Sequence, residues 1–280
     1  MTLPKLGRAF WRILGRRFLE AFGVLWLVYE PLCHFLPNSV PRGWGPYALL
    51  TALSGLFAIA LAWPRQVVTA TIPGADVFVS IRVGDLFGAK DNTIIGINDV
   101  FDTALGNIIS TRSVQAQFLE KRLAGDVAAL DRLVDQELKS VPFEPDNTKK
   151  EGKQNRYQIG TTIALNLYGL QYYLCAYCKM GSNLKAETDI CSLITSLEQC
   201  WSSIRNTGQN RTISTPVLAS DFGRIGLTKT QLVQIIVLSF VNANRQQHVA
   251  PGLTIYIHPS QQREVDMSAL RLWLRGVLWA

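Results

Sequence analysis

Apolar residues follow two different patterns along this 280-residue chain. Residues 43–64, GWGPYALLTALSGLFAIALAWP, form a 22-residue run without a charge. At about 1.5 Å rise per residue, about 20 helical residues cross a hydrocarbon core of about 30 Å. Trp44, Tyr47 and Trp63 bracket the run as interfacial aromatics do. The run predicts a transmembrane helix. Residues 18–36 are also mostly apolar and predict a first span, although they contain Glu20, Glu30, Pro31 and His34. A re-entrant or interfacial segment is the alternative there. Pro37, Asn38, Pro41, Arg42 and Gly43 make the connecting turn. Ahead of it, Leu3, Leu6, Phe10 and Ile13 recur at helical spacing beside a stripe of Lys5, Arg8, Arg12 and Arg16. That pattern predicts an amphipathic helix on the inner leaflet, or a plain topology signal. Ala48/Ala52, Thr51/Gly55 and Ala58/Ala62 are small-residue pairs that permit close helix approach.

Beyond Arg65 the pattern changes to short strands alternating with amphipathic helices. Residues 76–83 (DVFVSIRV) alternate as a strand, 93–98 (TIIGIN) read as a buried strand, and 113–123 and 126–139 have helical spacing. Asp126 is placed to cap the second helix. Residues 144–156 (EPDNTKKEGKQNR) carry no core pattern and predict an exposed, mobile loop. Strands follow at 161–167 and 171–178, a long helix at 187–204, a strand at 213–218, a helix at 228–242, a strand at 253–258 and a closing helix at 267–278. Such alternation predicts an α/β fold: a three-layer α/β/α domain with a mixed sheet, behind an N-terminal two-helix transmembrane hairpin. The expected domains are 1–65, with spans at about 18–36 and 44–63, and 76–280.

Charge sharpens this division. Net charge is +7, and residues 1–65 hold Lys5, Arg8, Arg12, Arg16, Arg17, Arg42 and Arg65 against Glu20 and Glu30. Most of the basicity is therefore N-terminal, which argues against a nucleic-acid-binding globular domain. The basic residues before the first span place both termini in the cytoplasm by the positive-inside rule, so an inner-membrane protein is expected. Five cysteines without regular spacing fit a reduced cytosol.

Candidate chemistry lies at strand ends, where α/β sheets bind ligands. The first segment is Val83, Gly84, Asp85, Leu86 and Phe87. The second is Asn98, Asp99, Val100, Phe101, Asp102 and Thr103, leading to Ser110, Thr111, Arg112 and Ser113. The third is Ala219, Ser220, Asp221, Phe222, Gly223, Arg224, Ile225 and Gly226, a glycine-containing strand-to-helix loop that can receive a phosphate, with an ordinary strand–helix connection as the alternative. It is neither a Walker loop nor a dinucleotide fingerprint. Cys175 and Cys178 form a C-x-x-C, but no second Cys/His pair is suitably spaced, so buried thiols are expected and no metal. His248 and His258 lack a nucleophile partner at recognisable spacing.

Taken together, V-G-D-L-F at 83–87, I-I-G-I-N-D-V-F-D-T at 94–103, I-I-S-T-R-S-V-Q-A-Q-F-L at 108–119, Y-Q-I-G-T at 157–161 and A-S-D-F-G-R-I-G at 219–226 resemble a macro domain. They are similar to the divergent branch found in transmembrane–macro effectors of the bacterial Thoeris antiphage system. The resemblance implies that Asp85 accepts the adenine amino group, that Asn98 to Asp102 approach the distal ribose, and that Ser110–Ser113 and Ser220–Gly226 hold the two phosphates, with Arg112 and Arg224 on the pyrophosphate. The ligand implied is an ADP-ribose derivative, histidine–ADP-ribose in this branch, made by a TIR-domain partner. No cofactor is implied. Homo-oligomers and disruption of the lipid bilayer are the implied output. The N-A-A-N run and G-G-G loop of ordinary macro domains are missing, which suits a modified ligand and a sensor. A membrane-tethered ADP-ribosyl hydrolase using Asp99 or Asp102, and a passive membrane scaffold, are the competing readings.

Overall fold

The computed structural model describes residues 8–36, 43–63, 66–149, 151–220 and 225–277. They fall into two compact units, one within Met1–Gln66 and Asp266–Trp273, the other within Val67–Val265 and Leu274–Ala280.

In the first unit, α1 (Arg8–Phe35) is one unbroken helix that runs through Pro31. The basic stretch and the predicted first span are thus parts of a single element. Leu3, Lys5, Leu6 and the turn residues 37–42 lie outside the described residues. The second helix, α2 (Trp44–Ala62), packs on α1, as a two-helix hairpin requires, with Tyr47 stacked on Trp26 at 5.8 Å between ring centroids. Four of the charged residues on α1 find local partners. Arg16 and Arg17 donate to Glu20 at 2.7 and 2.6 Å, and the Trp26 indole donates to Glu30 at 2.8 Å. Residues 10–35 and 44–62 are long and apolar enough to cross a membrane, and Leu19, Leu27, Leu49 and Leu56 are exposed.

The second unit runs β1 (Val67–Ile72), β2 (Val77–Val83), β3 (Asn92–Asn98), α3 (Val114–Leu123), α4 (Val127–Leu138), β4 (Glu144–Pro145), β5 (Asn155–Arg156), β6 (Thr162–Leu167), β7 (Leu170–Met180), β8 (Ala186–Glu187), α5 (Ile190–Thr207), β9 (Ile213–Pro216), α6 (Lys229–Gln246) and β10 (Gly252–Ile257). The last helix is α7 (Met267–Val277). The main sheet has the order β1-β2-β10-β9-β3-β7-β6, with β8 on β7. Five neighbours, β2, β10, β9, β3 and β7, are parallel, while β1, β6 and β8 pair antiparallel. This is the mixed sheet expected, with one strand more at its start. β1 pairs with β2 from Val67↔Arg82 to Ile72↔Val77, ahead of the first strand legible in the sequence.

Pleat alternation sorts the two faces. Ile95 and Ile97 of β3 and Tyr172, Leu174 and Ala176 of β7 form a core with Phe118, Leu119, Leu130 and Val134 of α3 and α4. On the opposite face Tyr173 bonds Thr207 of α5 at 3.1 Å, and the Cys175 thiol meets the Ser196 carbonyl at 3.4 Å. Trp201 of α5 donates to Ser239 of α6 at 2.8 Å. Caps fix the helix starts: Asp126 accepts the Ala129 amide on α4, and Thr228 with Gln231 makes a capping box on α6.

Residues 144–156 are mostly exposed, as expected, but part of the segment is buried and charge-paired. They are a strap closed by the β4/β5 pair, and their Lys149 is among the most buried side chains described. Charge pairing, which leaves no hydrophobic pattern, anchors them.

Candidate ligand cleft

The five parallel strands end on one side of the sheet, at Val83, Ile257, Pro216, Asn98 and Met180. A cleft of about 1170 Å³ opens there, walled by Pro216, Asn98 and Met180 themselves and by Gly84, Tyr256 and His258 next to the other two ends. Crevices at carboxyl strand ends are where open α/β sheets take ligands.

At one end, Asp85 caps the short 3-10 turn Leu86–Gly88 by accepting the Phe87 amide at 3.0 Å. Its other oxygen takes the Lys121 ammonium of α3 at 2.6 Å. Burial pushes the Asp85 pKa upward, but the Lys121 and Phe87 hydrogen bonds more than offset it, leaving the carboxyl below its ordinary value. The group stays anionic and half-exposed on the cleft wall, able to accept one further donor. Leu86 and Phe87 are buried but also reach the cleft. Lys121 and Arg122 lie 5.4 and 5.5 Å from the Phe87 ring centroid.

Farther along, Ser110, Thr111, Arg112 and Ser113 line the cleft as the lead-in to α3. Ser113 caps the helix by accepting the Ala116 amide at 3.0 Å, and Ser110 Oγ accepts the Arg112 amide at 3.3 Å. The unpaired N–H groups of the first turn and the helix dipole make this an anion-receiving corner. Across from it, residues 217–220 follow β9, with Ala219 held at φ +61° beside Ser220. Asp221, Phe222, Gly223 and Arg224 lie outside the described residues. Ile225 and Gly226 are described, and neither is among the cleft-lining residues.

The loop after β3 divides. Asn98 reaches the cleft, yet its side chain is committed: Oδ1 accepts the Val100 and Asp102 amides at 3.2 and 3.1 Å, and Nδ2 donates to Asp102 at 3.2 Å. Asp99, Phe101 and Asp102 do not line the cleft. Asp99 pairs with Arg156 and accepts the Met180 amide at 2.8 Å. Burial raises its pKa, and the Met180 and Arg156 hydrogen bonds offset this only in part. Phe101 packs edge-on against Tyr157 at 5.4 Å. Asp102 takes the Lys149 ammonium on both oxygens at 2.8 Å.

Several wall residues were not legible as site residues: Ile108, Tyr177, Met180, Lys185 and Tyr256. The signal for Tyr177 was Gly96. A Cβ there would sit 2.7 Å from the Tyr177 ring and 2.8 Å from Leu218, so the glycine lets both side chains into the wall. His258, at the strand end, also lines the cleft, with Nδ1 2.7 Å from Ser260 Oγ. Cys178 is buried with its thiol pushed up to about 12, mainly by desolvation, and all five cysteines are free. Among the described residues no group of three or more His, Cys, Asp or Glu could hold a metal.

A mixed sheet of this order, flanked by helices and opening a cleft at its parallel strand ends, defines a macro-type α/β domain. The family model for the macro domain of Thoeris protein ThsA matches residues 79–258, most of the chain. The chain belongs to that family. No curated protein matches the sequence. A mutant macrodomain of Oceanobacillus iheyensis has 12% identity and a TM-score of 0.49, covering 76% of this chain and 98% of that one. The same organism's macrodomain with ADP gives 12% and 0.48 over 76% and 98%. The macro domain of ganglioside induced differentiation associated protein 2 gives 12% and 0.40 over 70% and 83%.

Proposed function

We propose that this protein is a membrane-bound antiphage effector whose macro domain senses an ADP-ribose-derived signal, histidine–ADP-ribose, released by a TIR-domain partner. One observation carries the reading: in a ThsA-family chain, Asp85 and the α3 lead-in at 110–113 line one cleft at the carboxyl strand ends. The first is an acceptor suited to an adenine amine. The second is an anion corner suited to a diphosphate. The two apolar helices carry exposed leucines suited to lipid. Basic residues in the first turns of α1, Arg8, Arg12, Arg16 and Arg17, favour an inner-membrane protein with both termini in the cytoplasm. Signal binding favours an assembled state, and clustered helix pairs disrupt the bilayer. The ligand must bind that state better than the resting one.

Sensing is favoured over hydrolysis by Asp99 and Asp102. Each is occupied by a cation outside the cleft wall, so neither is placed to activate water. Calorimetry of the full chain in detergent with ADP-ribose and histidine–ADP-ribose, followed by product analysis, tests the reading. Binding without turnover supports it. Turnover supports a hydrolase, and absence of both leaves a scaffold.

A further inference from the structure

The strap at 144–156 is anchored through two charge clamps. Lys149, with a fully buried side chain, donates to both oxygens of Asp102 at 2.8 Å. The Lys153 amide adds a third bond to the same carboxylate at 2.9 Å. Arg156 bridges Asp99 and Asp146 and donates to the Met180 carbonyl at 2.9 Å. Asp102 in turn bonds Asn98, and its carbonyl accepts from Gln115 of α3. Asn98, Gln115 and Met180 all lie in the cleft wall. Gly152 presses directly onto this site. A Cβ there would fall on Asp102 Oδ1 and come within 2.7 Å of both Lys149 Nζ and the wall residue Ile108.

We infer that Lys149 and Arg156 are positioning residues for the ligand cleft, acting through Asp102 and Asp99 to fix its Asn98, Ile108 and Met180 walls. Neither touches the cleft. The strap's composition supports the assignment. A segment without apolar anchors docks only where its charges are matched, and a buried charge whose partner is removed reorganises its surroundings. Geometry transmitted this way sets ligand affinity, because a site works only when the groups behind it hold it in place. The inference rests on the cleft being the nucleotide site.

The test uses the full chain in detergent with two readouts: amide hydrogen exchange over 104–113 and 178–182, and ADP-ribose calorimetry. Lys149→Met should speed exchange in both segments and weaken ADP-ribose by about tenfold or more while the rest of the domain stays protected. Asp102→Asn combined with Lys149→Met removes both charges and should restore protection, with affinity within about threefold of the parent. Gly152→Ala, which keeps every charge, should reproduce the single-variant exchange and serves if Lys149→Met does not fold. Parent-like exchange in Gly152→Ala or in folded Lys149→Met overturns the inference, as does a double variant no better than the single. If the parent itself fails to bind ADP-ribose, the nucleotide reading fails, and the exchange data still decide the positioning role.

Discussion

Lys149 and Asp102 form a buried ion pair at 2.8 Å, their side chains 0% and 1% exposed, between a strongly polar strap and the loop that leaves the interior strand β3. A lysine head group pays heavily for leaving water. It is tolerated here because its donors are matched by both Asp102 oxygens and the Lys153 carbonyl. Lys149→Ala should therefore cost about 3–5 kcal/mol by leaving Asp102 buried and unpaired, whereas the paired change Asp102→Asn with Lys149→Met should lie near neutral. Denaturant midpoints of the three proteins check both values.

Asp85 is the acceptor we propose for an adenine amine. Asp85→Ala should weaken ADP-ribose binding by about tenfold to a hundredfold, as loss of a charged hydrogen bond does. Thermal stability should change little, because the side chain is half-exposed. Unchanged affinity in the folded variant would place the adenine elsewhere.

Lys121 helps hold the Asp85 carboxyl below its ordinary pKa. Burial raises the carboxyl's pKa, and the Lys121 and Phe87 bonds override it, so the folded value lies below the ordinary 3.8. A depressed carboxyl contributes stability that is present above its unfolded pKa and lost as pH falls through the folded one. Lys121→Gln should move the Asp85 midpoint upward, seen by carboxyl NMR titration, and shift the acid loss of ADP-ribose binding to higher pH. An unmoved midpoint would break the link.

Gly96 lets Tyr177 and Leu218 close in beside β3. Gly96→Ala should displace both and destabilise the domain by about 1–3 kcal/mol, the usual cost of overpacking. ADP-ribose affinity should fall with it, since Tyr177 and Leu218 are wall residues. Urea unfolding and calorimetry measure the two effects.

The proposed membrane output should depend on the open face of α2. Ser54, Ala58 and Ala62 are already buried, while a Cβ at Gly55 meets nothing within 4 Å. Gly55→Leu should impair growth arrest and dye entry in cells supplying the messenger and leave nucleotide affinity unchanged, because it blocks close approach between copies and not the cleft. Full toxicity in that variant would rule out this face of α2.

Much of the fold was legible because burial writes a period into the chain. The 2-residue alternation at 76–83 and the 3.6-residue spacing at 126–139 each had one stable solution, β2 and α4. The uncharged run at 43–64 became α2. The first strand was missed. β1 is an edge strand with only Val68 and Ile72 buried, and it directly follows the apolar run that masks it. Asp85 and Ser110 to Ser113 were legible as wall residues because a strand end or a helix cap fixes where they point.

The sequence by itself determined the alternating elements, the apolar helix pair and the strand-end loops, since these depend on local spacing, capping and hydrophobicity. Only the tertiary structure decided which loop residues face the cleft. Asp99 and Asp102 are acidic residues in the right loop, and nothing near them in sequence reveals that Arg156 and Lys149, about fifty residues on, draw both into ion pairs outside the cleft wall. Polar strap residues carry no period, so charge pairing at long sequence range leaves no local trace. It is fixed only when the folded chain brings the partners together and the cost of burying each charge is met by the other.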